Sequence, residues 1–123
     1  MNPNINIETL YQIPYGVFIV TSHSDKKING QIATVVFQIT AEPIQIATCL
    51  CKKNLTHEFA TETNSFGISI LSQEADLKFI GKFGFRCGRE FDKFAETNYK
   101  KSITGSPLVT DNAVGILDLE VKK

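Results

Sequence analysis

Tyr15-Gly16-Val17-Phe18-Ile19-Val20-Thr21-Ser22, then Ser24-Asp25-Lys26-Lys27, then Ile28-Asn29-Gly30-Gln31-Ile32-Ala33-Thr34-Val35-Val36-Phe37: this stretch decides the fold. Its first part is dense in β-branched and aromatic residues, which fit a pleated, half-buried surface. The polar tetrad makes a turn. Ile32, Val35 and Val36 then carry a second strand from Ile28 to Phe37. Strand, turn and strand predict a hairpin.

On the N-terminal side, Ile5 to Ile13 is a short amphipathic stretch ended by Pro14, which cannot continue a helix. On the C-terminal side, Pro43 opens a third strand, Ile44 to Cys51. Ile44, Ile46, Thr48 and Leu50 fall on one face and Gln45, Ala47, Cys49 and Cys51 on the other. Asn54 caps a helix from Leu55 to Thr63, with Leu55 and Phe59 paired at i, i+4 on its buried side. Phe66 to Leu71 is a fourth strand. Ser72 is an N-cap for a second helix, with Glu74 and Asp76 near its positive end. Leu77, Ile80 and Phe83 have helical spacing, and Gly84 suits the C-terminal cap. Phe85 to Lys101 reads as loop. Val114 to Val121 is a last strand, with Asp118 and Glu120 facing out.

Strands dominate, with helices inserted around one of them. Hairpins and one long crossover predict an antiparallel sheet that curls into a barrel. Regular βαβ alternation is missing, and no G-x-G-x-x-G follows a strand, which argues against a Rossmann fold. The 123 residues carry no internal repeat and no Pro/Gly/Ser linker, so one domain, 1–123, is expected.

Composition removes several function classes. Lys+Arg and Asp+Glu both number 13, so no net charge draws the chain to nucleic acid or an anionic membrane. No apolar run reaches membrane-spanning length, and Met1-Asn2-Pro3-Asn4 lacks a signal-peptide pattern. A cytoplasmic protein is expected. Cys49, Cys51 and Cys87 make a disulfide framework implausible, and their spacing from His23 and His57 does not suit a metal.

Four segments could carry chemistry. Lys52-Lys53-Asn54-Leu55-Thr56 joins a strand end to a helix start, where backbone N–H groups, a cation and a hydroxyl suit a phosphate. A plain capped helix with solvated lysines accounts for the same residues. Asn29 to Thr34 pairs a glycine with small residues, leaving room for something flat against the strand. A packed hairpin strand explains it equally. Cys49 and Cys51 either line a pocket or pack the core. Phe85-Arg86-Cys87-Gly88-Arg89 either reaches a phosphate or a neighbouring subunit, or is a solvated loop paired with Glu90 and Asp92. His57 lies in the first turn of a helix. Its context is not H-E-x-x-H, because position 61 is Thr, and no hydrolytic constellation is evident.

Seven segments occur in a characteristic order: Tyr15–Ser22, Asn29–Thr34, Glu42-Pro43, Lys53–His57, Phe66–Ser72, Phe83–Arg89 with Asp92-Lys93-Phe94, and Thr104–Leu108. The pattern resembles the flavin reductase-like family, whose fold is an FMN-binding split β-barrel of antiparallel, Greek-key type with two or three short helices. The flavoredoxin and high-molecular-weight rubredoxin branch is closest in style. The resemblance implies FMN as cofactor, with Gln31, Ile32, Ala33 and Thr34 beside the isoalloxazine. It implies that Cys49, Leu50 and Cys51 supply the other edge, chiefly through backbone groups. Lys53, Asn54 and Thr56 match the phosphate turn. Arg86 and Arg89 match a loop near the flavin, often supplied by the other subunit of a homodimer.

The implied activity passes electrons from NAD(P)H, or a redox protein such as rubredoxin, to flavin, ferric iron or a protein acceptor. No side-chain acid or base is required of the protein. A non-catalytic FMN-binding electron-transfer module that depends on a partner is the alternative, and a homologue without flavin is the third. Family members usually add a strand after the one matching Val114–Val121, often preceded by Gly-Asp-His, with no counterpart here. That leaves a barrel short of its last strand or an edge covered by a partner chain.

Overall fold

In the computed structural model, which describes residues 2–122, the opening hairpin forms the heart of the main sheet. Strand β1 (Phe18–His23) pairs antiparallel with β2 (Ile28–Ala33) on one side and with β5 (Ser65–Leu71) on the other. Strand β8 (Ala113–Glu120) closes the order β2-β1-β5-β8. Two hairpins complete the β structure: β3 (Val36–Ala41) with β4 (Ile44–Thr48), and β6 (Tyr99–Lys101) with β7 (Pro107–Val109). Every pairing is antiparallel. Three short helices, α1 (Ile7–Leu10), α2 (Leu55–Thr63) and α3 (Leu77–Gly84), complete the mainly β fold.

Alternation divides β1 between two apolar clusters. Ile19 packs with Phe83, Phe94 and Val109 on one face. Val20 packs with Ala33 and Ile68 on the other, joined by Ile46, Leu50, Phe66 and Leu117. A strand buried on both faces is a near-continuous apolar run, as Val17–Val20 is. The aromatic half is held by edge contacts, Phe83 on Phe94 at 5.6 Å and Phe94 on Tyr99 at 5.0 Å between ring centroids.

Several expectations need correction. The strand expected over Ile28–Phe37 is two strands in two sheets: β2 ends at Ala33 and β3 begins at Val36. The β-branched run across the break contains no turn residue, so only pairing with β1 or β4 separates them. The strand expected to reach Cys51 stops at Thr48, and Cys49 and Cys51 are exposed rather than core. The second helix does not start at Ser72. Ser72 Oγ accepts from Glu74 N in a turn, and Asp76 caps α3 by accepting from Phe79 N at 2.8 Å. Of its spaced apolar residues Phe83 is buried, whereas Leu77 is exposed. Strands β6 and β7 lie where a loop was expected, or in a segment with no assignment. Helix α2, by contrast, has the expected bounds and buries Leu55 and Phe59.

Candidate functional site

The phosphate-type segment begins where β4 gives way to α2. Asn54 has extended backbone at the N-cap, and Glu58 N donates to Asn54 O to start the helix. Its side chain makes no capping bond. Asn54 Nδ2 instead donates to Gln31 Oε1 on β2 at 3.1 Å. The N–H groups of Leu55, Thr56 and His57 therefore have no partner among the described residues. They carry the positive end of the helix dipole. Lys52 and Lys53 are exposed beside them. A bare helix start with adjacent cations suits an anion.

Thr56 lies differently from the lysines. Its side chain is 0% exposed and Oγ1 accepts from Asn29 Nδ2 at 2.9 Å. The hydroxyl thus fastens α2 to β2, and it is the backbone N–H of Thr56 that lies at the helix start.

Strand β2 ends the main sheet, and its outer edge has no strand neighbour among the described residues. Leu71 N donates to Val17 O, which sets the alternation of β1: Val17, Ile19 and Thr21 turn their peptide groups toward β5. Their partners across the hairpin, Ile32 opposite Ile19 and Gly30 opposite Thr21, turn theirs outward. Thr34 follows the same parity. The N–H groups of Ile32 and Thr34 have no backbone partner among the described residues. Gln31 and Ile32 are half-buried, Ala33 is buried and Thr34 exposed. Cys49 N donates to Val35 O at 3.4 Å, bringing the Cys49-Leu50-Cys51 segment against the end of this edge.

The arginine loop is anchored to the same corner. Gly88 sits so close to the Asn29 amide that no Cβ fits between them. Lys27 Nζ donates to Gly88 O. Arg89 Nη1 pairs with Glu58 Oε2 of α2 at 3.4 Å, not with Glu90 or Asp92. Arg86 lies over the Phe91 ring at 4.7 Å from its centroid. The segments expected to act together are therefore joined: Gln31 to Asn54, Asn29 to Thr56, and Arg89 to α2.

A cavity of 780 Å³ opens beside this corner, between the β3–β4 hairpin, α2 and β8. It includes Cys49, Leu50 and the half-buried His57, but neither Lys53 nor the arginines. Thr48 Oγ1 is buried on its wall without a partner.

One residue of the corner escaped the reading of the sequence. Lys93 is 4% exposed, and Nζ donates to Gly30 O at 2.8 Å and Phe83 O at 3.0 Å. Burial holds its pKa below the ordinary lysine value of 10.5, with the nearby Cys87 acting the other way. A lysine in a loop normally signals solvent, so only its place in the Asp92-Lys93-Phe94 motif marked it.

An antiparallel, mainly β frame thus sets an anion-ready helix start beside an exposed strand edge. The family model described as "Flavin reductase like domain" matches residues 10–123. The chain belongs to that family. It is 48% identical over 119 residues to a ferric-chelate reductase (NAD(P)H) of Archaeoglobus fulgidus, covering 97% of this chain and 70% of the relative. It is 42% identical over 119 residues to a high molecular weight rubredoxin of Moorella thermoacetica, covering 97% of this chain and 52% of that protein. The chain thus spans about half the length of the latter. Among solved structures, flavoredoxin from Methanosarcina acetivorans superposes with a TM-score of 0.82 at 19% identity, over 100% of this chain and 63% of that one. This last likeness shows the fold.

Proposed function

We propose that residues 1–123 form a single flavin reductase-like domain that binds FMN. It moves electrons from NAD(P)H or a redox protein to flavin, ferric iron or a protein acceptor. The observation that carries the reading is the uncapped start of α2: Asn54 turns to Gln31, and three N–H groups stay free beside Lys52 and Lys53. A phosphate group matches those donors. The outward N–H groups of Ile32 and Thr34 match the polar edge of a flat ring, with Ala33 and the Cys49–Cys51 segment flanking it.

In this mechanism bound FMN supplies the hydride and electron chemistry. The chain's own work is to bind and orient. Lys53, Asn54 and the backbone of Thr56 hold the phosphate. Gln31, Ile32, Ala33 and Thr34 would lie beside the ring and orient it. Cys49, Leu50 and Cys51 would supply its other edge, chiefly through backbone groups. Arg86 and Arg89 add positive charge at the rim, on a loop fixed by Gly88 against Asn29.

The absorption spectrum of the purified protein, before and after soaking with FMN and desalting, tests the cofactor. A retained flavin spectrum is expected, and a colourless protein after reconstitution defeats the reading. NADH oxidation by the loaded protein then separates an enzyme from the second reading, a partner-dependent electron carrier. The likeness to a high molecular weight rubredoxin, of which this chain spans 52%, favours that second reading. Bound FMN without turnover would establish it.

Three exposed free cysteines suit the reducing cytoplasm. No described helix is long and apolar enough to cross a membrane. A homodimer is part of the proposal, because the β3–β4 hairpin exposes Phe37 and, on the cavity wall, Ile39 and Ile44, and β2 and β8 are sheet edges.

A further inference from the structure

His23 ends β1 with both ring nitrogens set against oxygens. Nδ1 lies 3.2 Å from Ser24 O. Nε2 lies 3.0 Å from Thr104 O and 3.1 Å from Ser65 Oγ. Carbonyl oxygens only accept, so each nitrogen faces an acceptor. A neutral imidazole carries one N–H and a lone pair on its other nitrogen. Either neutral tautomer therefore sets a lone pair against a carbonyl oxygen.

The neighbouring hydroxyls point the same way. Thr63 Oγ1, at the end of α2, donates to Phe59 O at 2.9 Å, which uses its hydrogen. Ser65 Oγ, 3.2 Å from Thr63 Oγ1, is then the donor of that pair. With its hydrogen committed, Ser65 Oγ accepts from His23 Nε2. A directed chain runs from His23 Nε2 through Ser65 and Thr63 to Phe59 O, while Nδ1–H is left for Ser24 O. The imidazolium, with two N–H groups, satisfies all of these atoms at once.

Thr104 belongs to the turn that joins β6 to β7. Its other side is held by Asp118 of β8, which accepts from Thr104 Oγ1 and, at 3.4 Å, from Thr104 N. Gly105 of the same turn rests on the imidazole. A Cβ there would lie 2.7 Å from His23 Cε1, and its φ of +100° suits glycine.

We propose that His23 is a proton-operated latch for the β6–β7 hairpin. Charged, it donates to Ser24 O and Thr104 O and clamps the turn between β1 and β8. On losing a proton it keeps the hydrogen on Nδ1, because Ser65 can turn its own hydrogen to Nε2, whereas no described group donates to Nδ1. The Nε2 lone pair then repels Thr104 O, and the turn is released from β1. Strand β6 starts at Tyr99, whose ring meets Phe94 at 5.0 Å, so the latch also steadies the end of the arginine loop. None of this requires a bound flavin.

Other charged groups face the same place. The 390 Å³ cavity at His23 is rimmed by Asp25, Lys26 and Lys27 of the β1–β2 turn and by Tyr99 and Lys101 of β6. Besides Asp118, β8 sets Glu120 opposite Ser65, and on α2 Glu62 precedes Thr63. Histidine is the side chain whose ordinary charge change falls between about pH 5 and 8. Reading the ring itself separates its titration from theirs.

The test is nitrogen NMR of the histidine rings from about pH 5 to about pH 8.5, alongside the amide signals of Ser102, Thr104 and Gly105. The chain has two histidines, so His57→Gln assigns both rings. The His23 ring is expected to pass from both nitrogens protonated to the Nδ1–H form, with the turn amides shifting at the same midpoint. His57→Gln should leave that transition in place and His23→Gln should remove it. The latch adds stability in its charged form, so the wild type should gain about 4 °C in melting temperature over His23→Gln as the pH falls across the transition. Turn amides that stay fixed while the ring titrates overturn the proposal, as does a ring that keeps one form throughout. If His23→Gln does not fold, the wild-type titration of ring and turn decides by itself.

Discussion

Thr56 and Lys53 are three positions apart and do opposite work. Thr56 is buried and accepts from Asn29 Nδ2, whereas Lys53 is exposed at the helix start. Thr56→Ala leaves a buried amide donor unpaired and should cost about 1–3 kcal/mol of stability. Lys53→Ala should change stability by less than about 0.5 kcal/mol. Urea unfolding of the flavin-free variants checks both. Lys53→Ala should also weaken FMN binding by about 1–3 kcal/mol in a fluorescence titration, and unchanged affinity would remove Lys53 from the phosphate site. Lys93 adds a pH signature. Its folded pKa is depressed by burial, so the unfolded chain binds the proton more tightly. The wild type is penalised below the folded pKa and regains stability as the pH rises from there toward 10.5. Relative to Lys93→Met, its melting temperature should therefore rise over that alkaline window. A constant difference between the two would show that Lys93 is not titrating in the folded state.

At the scale of elements, the arginine loop depends on one glycine. A Cβ at Gly88 collides with the Asn29 amide, which itself holds Thr56. Gly88→Ala must push the loop off β2 or displace Asn29, at a cost of about 1–3 kcal/mol. It should also loosen Arg89 from Glu58 and lower FMN affinity, whereas Gly84→Ala, whose Cβ would meet Ile32 Cγ1 at a tight 3.3 Å, should be milder. Thermal unfolding of the two variants ranks them, and a milder Gly88→Ala would refute the anchoring role. The elements themselves were unevenly legible. Helix α2 was readable to its ends because Leu55 and Phe59 repeat at helical spacing and Asn64 closes it in the left-handed region. The join of β2 and β3 was not, because Ala33, Thr34, Val35 and Val36 all favour strand.

For the whole molecule, exposed apolar residues gather on the N-terminal segment from Ile5 to Val17 and on the β3–β4 hairpin, where Phe37 is 55% and Ile44 74% exposed. If a second copy covers the hairpin face, as proposed, light scattering at micromolar concentration should give a dimeric mass. Ile44→Glu should then shift the protein toward monomer while leaving its melting curve at low concentration unchanged. A wild type that is monomeric at that concentration would defeat the dimer. The C-terminal strand bears on the same point. Strand β8 ends the main sheet, and its outer edge has no neighbour among the described residues.

Local chemistry was enough to reveal the antiparallel β class, the β1–β2 hairpin and the α2 start. Alternation, polar turns and helix caps act over a few residues and are written in the chain order. The order of the motifs pointed to the family for the same reason. Tertiary structure alone decided that Asn54 caps nothing and binds Gln31, that Thr56 faces inward, and that Arg89 reaches Glu58. It alone buried Lys93 against Gly30 and Phe83. Each of these links residues from 10 to 63 positions apart, and the choice among such partners is made by packing, which local sequence preference does not encode.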